Sequence, residues 1–455
     1  MPKKWRTILL LSASYIFYAS INVHFFLLLF FSSSIDYVLS LGIHKTSDNF
    51  KKKSIFFSGI FFNLGVWAFY KYFNIFLQTF FQGSKFSLFI ILPLGLSFYT
   101  FHKLSYLIDV YKGKITPPKF IDYLLYIAYF PKLISGPIER TKSFIAKLEE
   151  EKYFRKIKIK ESLYLILYGI FKKFVISSSL LPIFLDILKM DHPSVSQLVL
   201  AAYFISFNVY ADFSGYTDIV RGISLLFGIE LDLNFEFPYF TKNPLEFFKK
   251  WHITLMTWMK DYIYMPLFVF FSSKTPVKHF ENAKWRFGAS SLFALFFTFF
   301  IFGFWHGERG YMLLGMYSFV IICCFIFFEK LLGKIVFKRG GWFTLVIDVI
   351  RIIINFNVIS LGFFLTLFHV SRTFSFVKSL FFEFNFHDLI MGVSFQIFLL
   401  LLFFFVYELM QYLYKDALFI CKKNFEMQIL FYLILFFFFI NAGEVQNTGF
   451  LYVQF

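Results

Sequence analysis

Three stretches of this chain set ionisable and hydroxyl-bearing residues inside otherwise apolar sequence, and those are the residues able to do chemistry. Such groups are costly at membrane depth unless paired or hydrated, so they either line a cavity or pair across helices. The first stretch, residues 208–222 (NVYADFSGYTDIVRG), holds Asp212, Ser214, Tyr216, Asp218 and Arg221. Asp218 and Arg221 are spaced i, i+3 and can form a structural ion pair on one helical face. Asp212 has no partner nearby in sequence, which makes it the better site-lining candidate, with interhelical pairing an equal alternative.

The second stretch, residues 247–266 (FFKKWHITLMTWMKDYIYMP), projects as one helix. Trp251, Leu255, Trp258 and Tyr262 share a stripe, and Lys250, Thr254, Thr257 and Asp261 share another. His252 falls with Met256 and Met259 at the border of the apolar sector and is expected to face protein rather than water. The same mixture of Trp, Lys and Tyr also suits an amphipathic helix at the interface.

The third stretch, residues 301–310 (IFGFWHGERG), puts His306 at the end of a long apolar run and before two glycines. A neutral imidazole there can accept a proton near neutral pH. No Gly-x-Ser-x-Gly elbow, P-loop or His-Glu-x-x-His pair is present, so serine hydrolase, nucleotide and zinc-peptidase chemistry lack support. A histidine-dependent reaction remains. On position alone, a histidine that only bridges helices is the commoner case.

The elements that must position these residues are membrane helices. Of 455 residues, 58% are hydrophobic and 77 are Phe, against 16% charged. The apolar runs are helix-length rather than alternating, which excludes an outer-membrane barrel and leaves an all-α polytopic bundle. Spans are expected at 7–23, 24–43, 54–70, 86–108, 119–135, 161–182, 196–211, 289–306, 311–329, 343–368, 387–408 and 427–441. Residues 71–83, the Pro93–Gly95 region and 212–272 are too short or too interrupted for ordinary crossings and are expected to pack within the bundle.

Lys and Arg exceed Asp and Glu by 17, a surplus that sets topology rather than implying nucleic acid. Basic clusters at the N-terminus, 51–53, 142–160, 278–286, 330–339 and 415–423 mark the cytoplasmic face and leave the C-terminus outside. Residues 139–160 read as an interfacial basic helix. The first apolar run lacks a small-residue cleavage site and is expected to stay attached. Cys323, Cys324 and Cys421 specify neither a disulfide framework nor a metal site. With no repeat or linker, the chain is expected to be a single domain over 1–455.

Six segments, in order, give this chain a resemblance to the membrane-bound O-acyltransferase superfamily, in the bacterial branch that acylates alginate and teichoic acid. They are ILPLGLSFYTFHKLSYLIDVYKG (91–113), FPKLISGPIER (130–140), YADFSGYTDIVRGISLLFGIEL (210–231), NFEFPYF (234–240), WHITLMTWMKDYIYMPL (251–267) and GFWHG (303–307). The closing FLYVQF is similar to the branch's usual C-terminus. The resemblance implies a conical or hourglass-shaped helical bundle, thinned at its centre, with interrupted and re-entrant helices around a central tunnel. It makes His306 the catalytic histidine of the Trp-His-Gly segment, with His252 its companion. It also implies site-forming roles for Asp212, Tyr216, Asp261, Tyr262 and Trp305, and places Glu139 and Arg140 at the cytoplasmic entrance.

Some positions depart from the branch pattern. The glycine pair after Pro266 is missing, Lys249 and Lys250 replace arginines, Glu308 and Arg309 follow the Trp-His-Gly segment, and 361–370 lacks the customary Trp and Arg. The resemblance implies an enzyme of a bacterial cytoplasmic (inner) membrane, with no tightly bound cofactor. Its acyl donor would be acetyl coenzyme A or a carrier thioester, arriving from the cytoplasm. Its acceptor would be an envelope or exported polysaccharide, acylated directly or through a periplasmic or extracellular acetyltransferase partner. Acetyl is favoured over D-alanyl as the acyl group. Two further classes fit the same intramembrane charges: a transporter or flippase of lipid-linked sugar, which predicts paired repeats, and a noncatalytic scaffold.

Overall fold

A computed structural model describes residues 2–80, 90–150, 158–274, 283–307, 309–336, 342–365, 385 and 393–441. Every regular element among them is helical. Its packing divides into two compact units, one of residues 1–166 and 220–232 and the other of 167–219 and 233–455. Two of the three boundaries fall inside helices, and the third, after Asp232, lies in irregular chain.

The first unit contains α1 (Lys3–Ile21), α2 (Val23–Lys45), α3 (Asn49–Phe80), α4 (Leu96–Tyr111), α5 (Phe120–Ala128), α6 (Phe130–Leu133), α7 (Thr141–Glu149) and most of α8 (Ile159–Ile170). Asn22 splits the first apolar run in two. Its backbone is extended and its Oδ1 accepts from the N–H of His24 at 2.8 Å and of Phe25 at 3.4 Å, capping α2. Inside the unit a buried Lys103–Asp36 pair (3.4 Å) is completed by Asn63, which donates to Asp36 at 2.6 Å, and by Ser32, which accepts from Lys103 at 2.5 Å.

The second unit takes the last turn of α8 and a π-helical segment, Phe171–Ser177, which joins α8 to α9 (Ser178–Lys189). Then come α10 (Val195–Leu226), α11 (Pro244–Lys250), α12 (Ile253–Met259), a second π segment at Lys260–Tyr264, and α13 (Met265–Lys274). The chain continues through α14 (Ala283–His306), α15 (Arg309–Val336), α16 (Trp342–Leu365), α17 (Phe395–Tyr414) and α18 (Phe425–Asn441). Among the described residues, six helices are long and apolar enough to cross a membrane: Val23–Lys45, Val195–Leu226, Gly288–His306, Arg309–Lys330, Trp342–Phe364 and Phe395–Tyr414. Large apolar side chains such as Leu345, Ile353, Leu433 and Phe436 stand exposed on them and on α18, as a lipid-facing surface requires.

Several expected spans are corrected. Residues 119–135 form two helices too short to cross, because Pro131 has no N–H to return to Ile127 and the chain breaks at Tyr129. Helix α4 begins only at Leu96. Gly95, at φ +75°, turns the chain there, and a side chain on it would strike the Leu133 carbonyl oxygen at 2.3 Å. Residues 71–80 continue α3 and 212–226 continue α10 instead of forming separate interrupted pieces. Of the basic stretch 139–160, residues Thr141–Glu149 are helical, with Phe144 and Leu148 buried; 151–157 and the C-terminal FLYVQF lie outside the described residues.

Candidate active site

The second unit is organised around a glycine contact. A Cβ on Gly169 would sit 2.6 Å from the Gly215 carbonyl oxygen, and one on Gly215 2.7 Å from that of Gly169. Small residues let membrane helices approach to backbone contact. The approach sets the consecutive lysines of the first π segment against α10, where Lys172 binds Asp218 at 2.6 Å and Lys173 binds Asp212. Asp212 thus takes the interhelical alternative, with both side chains buried. Asp218 has a partner from another element, which the i, i+3 spacing did not offer.

A third carboxylate joins this polar layer from α17. Glu408 is buried and accepts from the hydroxyls of Tyr168 at 3.0 Å and Tyr210 at 2.7 Å, while Lys172 lies 4.9 Å from the Tyr168 ring centroid. Sequence reasoning missed Lys172, Lys173 and Glu408. The signal was present: a Lys doublet within 161–182 and one Glu within 387–408, each inside a run expected to span the membrane.

The helix projected over 247–266 is broken. His252 adopts φ +43° and ψ +53°, the left-handed region, so α11 ends at Lys250 and α12 starts at Ile253. Asn234 stabilises the break: its carbonyl accepts from Ile253 N–H at 2.9 Å and its side chain from Thr254 Oγ1 at 2.6 Å. Trp251, Leu255 and Trp258 remain buried on one side, but Tyr262 does not. His252 faces protein as expected, edge-on to Phe213 of α10 with centroids 4.7 Å apart. Burial pushes its pKa down to about 3, so the ring is a neutral imidazole at physiological pH.

Asp261 and Tyr262 sit on the second π segment, half-buried, with the Tyr262 ring 5.1 Å from Trp258. Tyr264 ties that segment to α14 through a 2.8 Å hydrogen bond with Ser291. Tyr216 is buried on α10, one turn beyond Asp212. Local π turns accompany functional sites more often than chance.

His306 is the last residue of α14 and is 4% exposed. Among the described residues, three rings pack against it: Phe302 at 5.0 Å and 77°, Trp305 at 4.5 Å and 65°, and Tyr311 of α15 at 4.4 Å and 15°. Gly307, at φ +88°, reverses the chain directly after it. A run of ring contacts, Phe248 to Phe299 to Phe302 to His306, leads from α11 to this imidazole. The structure therefore joins His252 to the Asp212–Tyr216 face through Phe213, and sets His306 with Trp305 in a second aromatic setting. A cavity of about 650 Å³ in this unit lies elsewhere, lined by Tyr210, Lys242, Asp348, Phe356, Phe404 and Glu408 among others, and neither histidine lines it.

In the first unit, Glu139 is fully buried. It accepts from the Asp232 N–H at 2.6 Å and from Lys147 at 2.7 Å, and Lys147 also reaches Asp232 at 2.8 Å. Burial raises the Glu139 carboxyl above its ordinary value. Lys147 is drawn down by burial but raised overall by Glu139 and Asp232. Beside them Lys132 is buried with its ammonium 4.2 Å from the Tyr126 ring centroid and 4.6 Å from that of Phe144, and burial pushes it down to about 7. Among the described residues no group of three His, Cys, Asp or Glu side chains is placed to hold a metal ion.

Comparison with known proteins decides the family. The model for the membrane-bound O-acyltransferase family matches residues 81–368, which take in the Gly169–Gly215 contact, the His252 break and the His306 turn. The chain belongs to that family. Among curated relatives of this chain, the peptidoglycan O-acetyltransferase of Helicobacter pylori is 33% identical over 338 residues, 67% of this chain and 60% of that protein. The probable alginate O-acetylase AlgI of Azotobacter vinelandii is 32% identical over 58% of this chain and 55% of its own length. The teichoic acid D-alanyltransferase of Bacillus subtilis is 30% identical over 60% of this chain and 68% of its own. The chain thus spans under two thirds of the first two relatives it matches.

Proposed function

We propose that this chain is an acyltransferase of a bacterial cytoplasmic membrane. It moves an acetyl group from a thioester donor on the cytoplasmic side to a hydroxyl of an envelope polysaccharide, directly or through a periplasmic partner. The observation that carries the reading is His306, held at the tight turn between α14 and α15 within the Trp-His-Gly segment. In this reading 1–455 act as one membrane-embedded domain, and a passage through it brings both substrates to that imidazole. Because the ring is buried, substrate binding displaces at least one of the aromatic side chains that enclose it.

His306 takes the proton of the attacking hydroxyl as the new C–O bond forms at the acyl carbonyl. The C–S bond then breaks, and the imidazolium returns the proton to the departing thiolate. Neutral His252 has an N–H able to stabilise the developing oxyanion. Asp212 acts through its lysine pair to hold α10, while Tyr216, Asp261, Tyr262 and Trp305 shape the acyl and acceptor sites, and Glu139 and Arg140 shape the donor's approach. The acetyl group is supported by relatives named for O-acetylation of peptidoglycan and alginate; the relative named for D-alanylation supplies the alternative.

The test is His306→Ala in the full-length protein, assayed for envelope acetylation in a deletion background and for acetyl transfer after purification. General-base assistance is worth roughly 10² to 10⁴ in rate, so transfer should nearly vanish while the variant stays folded. Normal acetylation by the variant would overturn the mechanism and return the transporter and scaffold readings.

A further inference from the structure

Among the described residues, three rings pack on His306, and they meet it differently. Phe302 and Trp305 meet it edge to face, whereas the phenol of Tyr311 lies nearly parallel to it, 15° out of plane with centroids 4.4 Å apart. The backbone builds this stack. Gly303 lies one turn before His306, and a Cβ on it would be 2.7 Å from the Tyr311 carbonyl oxygen and 2.9 Å from the Met312 Cα. Gly315 repeats the contact one turn later in α15, where a Cβ would meet the Phe299 carbonyl oxygen at 2.4 Å. Gly307 then closes the hairpin, its N–H bonded to the Phe304 carbonyl at 3.0 Å. Three glycines therefore fix Tyr311 relative to His306 without recourse to a flexible side chain.

We propose that Tyr311 is the positioning residue for His306. Its ring sets the plane in which the imidazole exchanges protons and offers its π face to the imidazolium that forms during transfer. The proposal rests on the reading of His306 as general base. An aromatic face within ~6 Å of a cation attracts it, and a neutral imidazole gains much less from the same face. The contact therefore strengthens as the proton arrives, and such differential contacts raise kcat rather than lower KM. Tyr311 touches neither substrate in this scheme; it acts through the histidine.

The experiment uses the full-length protein in lipid nanodiscs, with acetyl coenzyme A as the donor probe and coenzyme A release as the readout. Tyr311→Leu keeps apolar bulk and removes the π face, so kcat should fall roughly three- to thirtyfold with KM unchanged. Tyr311→Phe keeps the face and should retain wild-type kcat. In histidine-labelled protein, the His306 ring-proton resonances should sit upfield in wild type and in the Phe variant and move downfield in the Leu variant, whether or not the donor is right. If Tyr311→Leu does not fold, Tyr311→Met replaces it. Wild-type kcat in the non-aromatic variant, or equal losses in the Phe and Leu variants, would overturn the proposal. Full activity in His306→Ala would sink the general base and this proposal together, whereas loss there with an active Tyr311→Leu would sink this proposal alone.

Discussion

Gly169 and Gly215 meet backbone to backbone, each filling the space a side chain on the other would need. One methyl group at either position must separate α10 from the π segment and pull Lys172 and Lys173 away from Asp218 and Asp212. Gly215→Ala should therefore destabilise the protein by about 1–3 kcal/mol as an overpacked contact. A thermal unfolding midpoint equal to that of wild type would show that the helices can part without loss.

The Lys173–Asp212 pair separates a structural from a catalytic role for Asp212. Lys173→Met leaves a buried carboxylate unpaired and should cost about 3–5 kcal/mol. The double variant Lys173→Met, Asp212→Leu should recover most of that loss. If the double variant is as unstable as the single one, the pair is not what holds these helices. If it is stable but inactive in acetyl transfer, Asp212 has a role beyond its ion pair.

Lys132 gives a pH dependence of known sign. Its folded value is pushed down to about 7 while the unfolded lysine keeps its ordinary 10.5, so between those limits the unfolded chain binds more protons. Stability should rise with pH across that window and level off above it. Lys132→Met should flatten the rise and be the more stable form at pH 7. Denaturant midpoints at pH 7 and pH 9.5 check this, and parallel slopes in the two proteins would refute it.

Glu408 anchors α17 through two tyrosine hydroxyls. Glu408→Leu removes the acceptor of both hydrogen bonds, at about 1–3 kcal/mol for each. Glu408→Gln keeps acceptor oxygen for at least one and should lose less. Equal unfolding midpoints for the Leu and Gln variants would mean that the hydroxyls find other partners.

Helix class could be read from composition, and the buried setting of both proposed site histidines from their positions in the sequence. The long apolar runs became α2, α10 and α14 to α17, and His252 is buried as its position on the projection required. Breaks were less legible. Nothing in the apolar pattern of 247–266 marks the left-handed backbone at His252, because Asn234, which stabilises it, lies eighteen residues before it in the sequence. Pro131 was visible but was read through, although a missing N–H ends a helix whatever the hydropathy around it. The pairing of Asp212 was undecidable from its own stretch, since Lys173 is remote in sequence and reaches it only through the glycine crossing.

The two π segments carry a consequence for engineering and for length variation. A π turn holds one residue more than an α turn, so removing a single residue from 171–177 or 260–264 would let the backbone relax to ordinary geometry without breaking the helix. Downstream side chains would keep their directions, because the π turn rather than the following helix absorbs the extra residue. A one-residue deletion in the α-helical turns on either side would instead swing Leu180, Leu181 and Phe184 in one case, and Met265 to Phe268 in the other, by about 100° toward new neighbours.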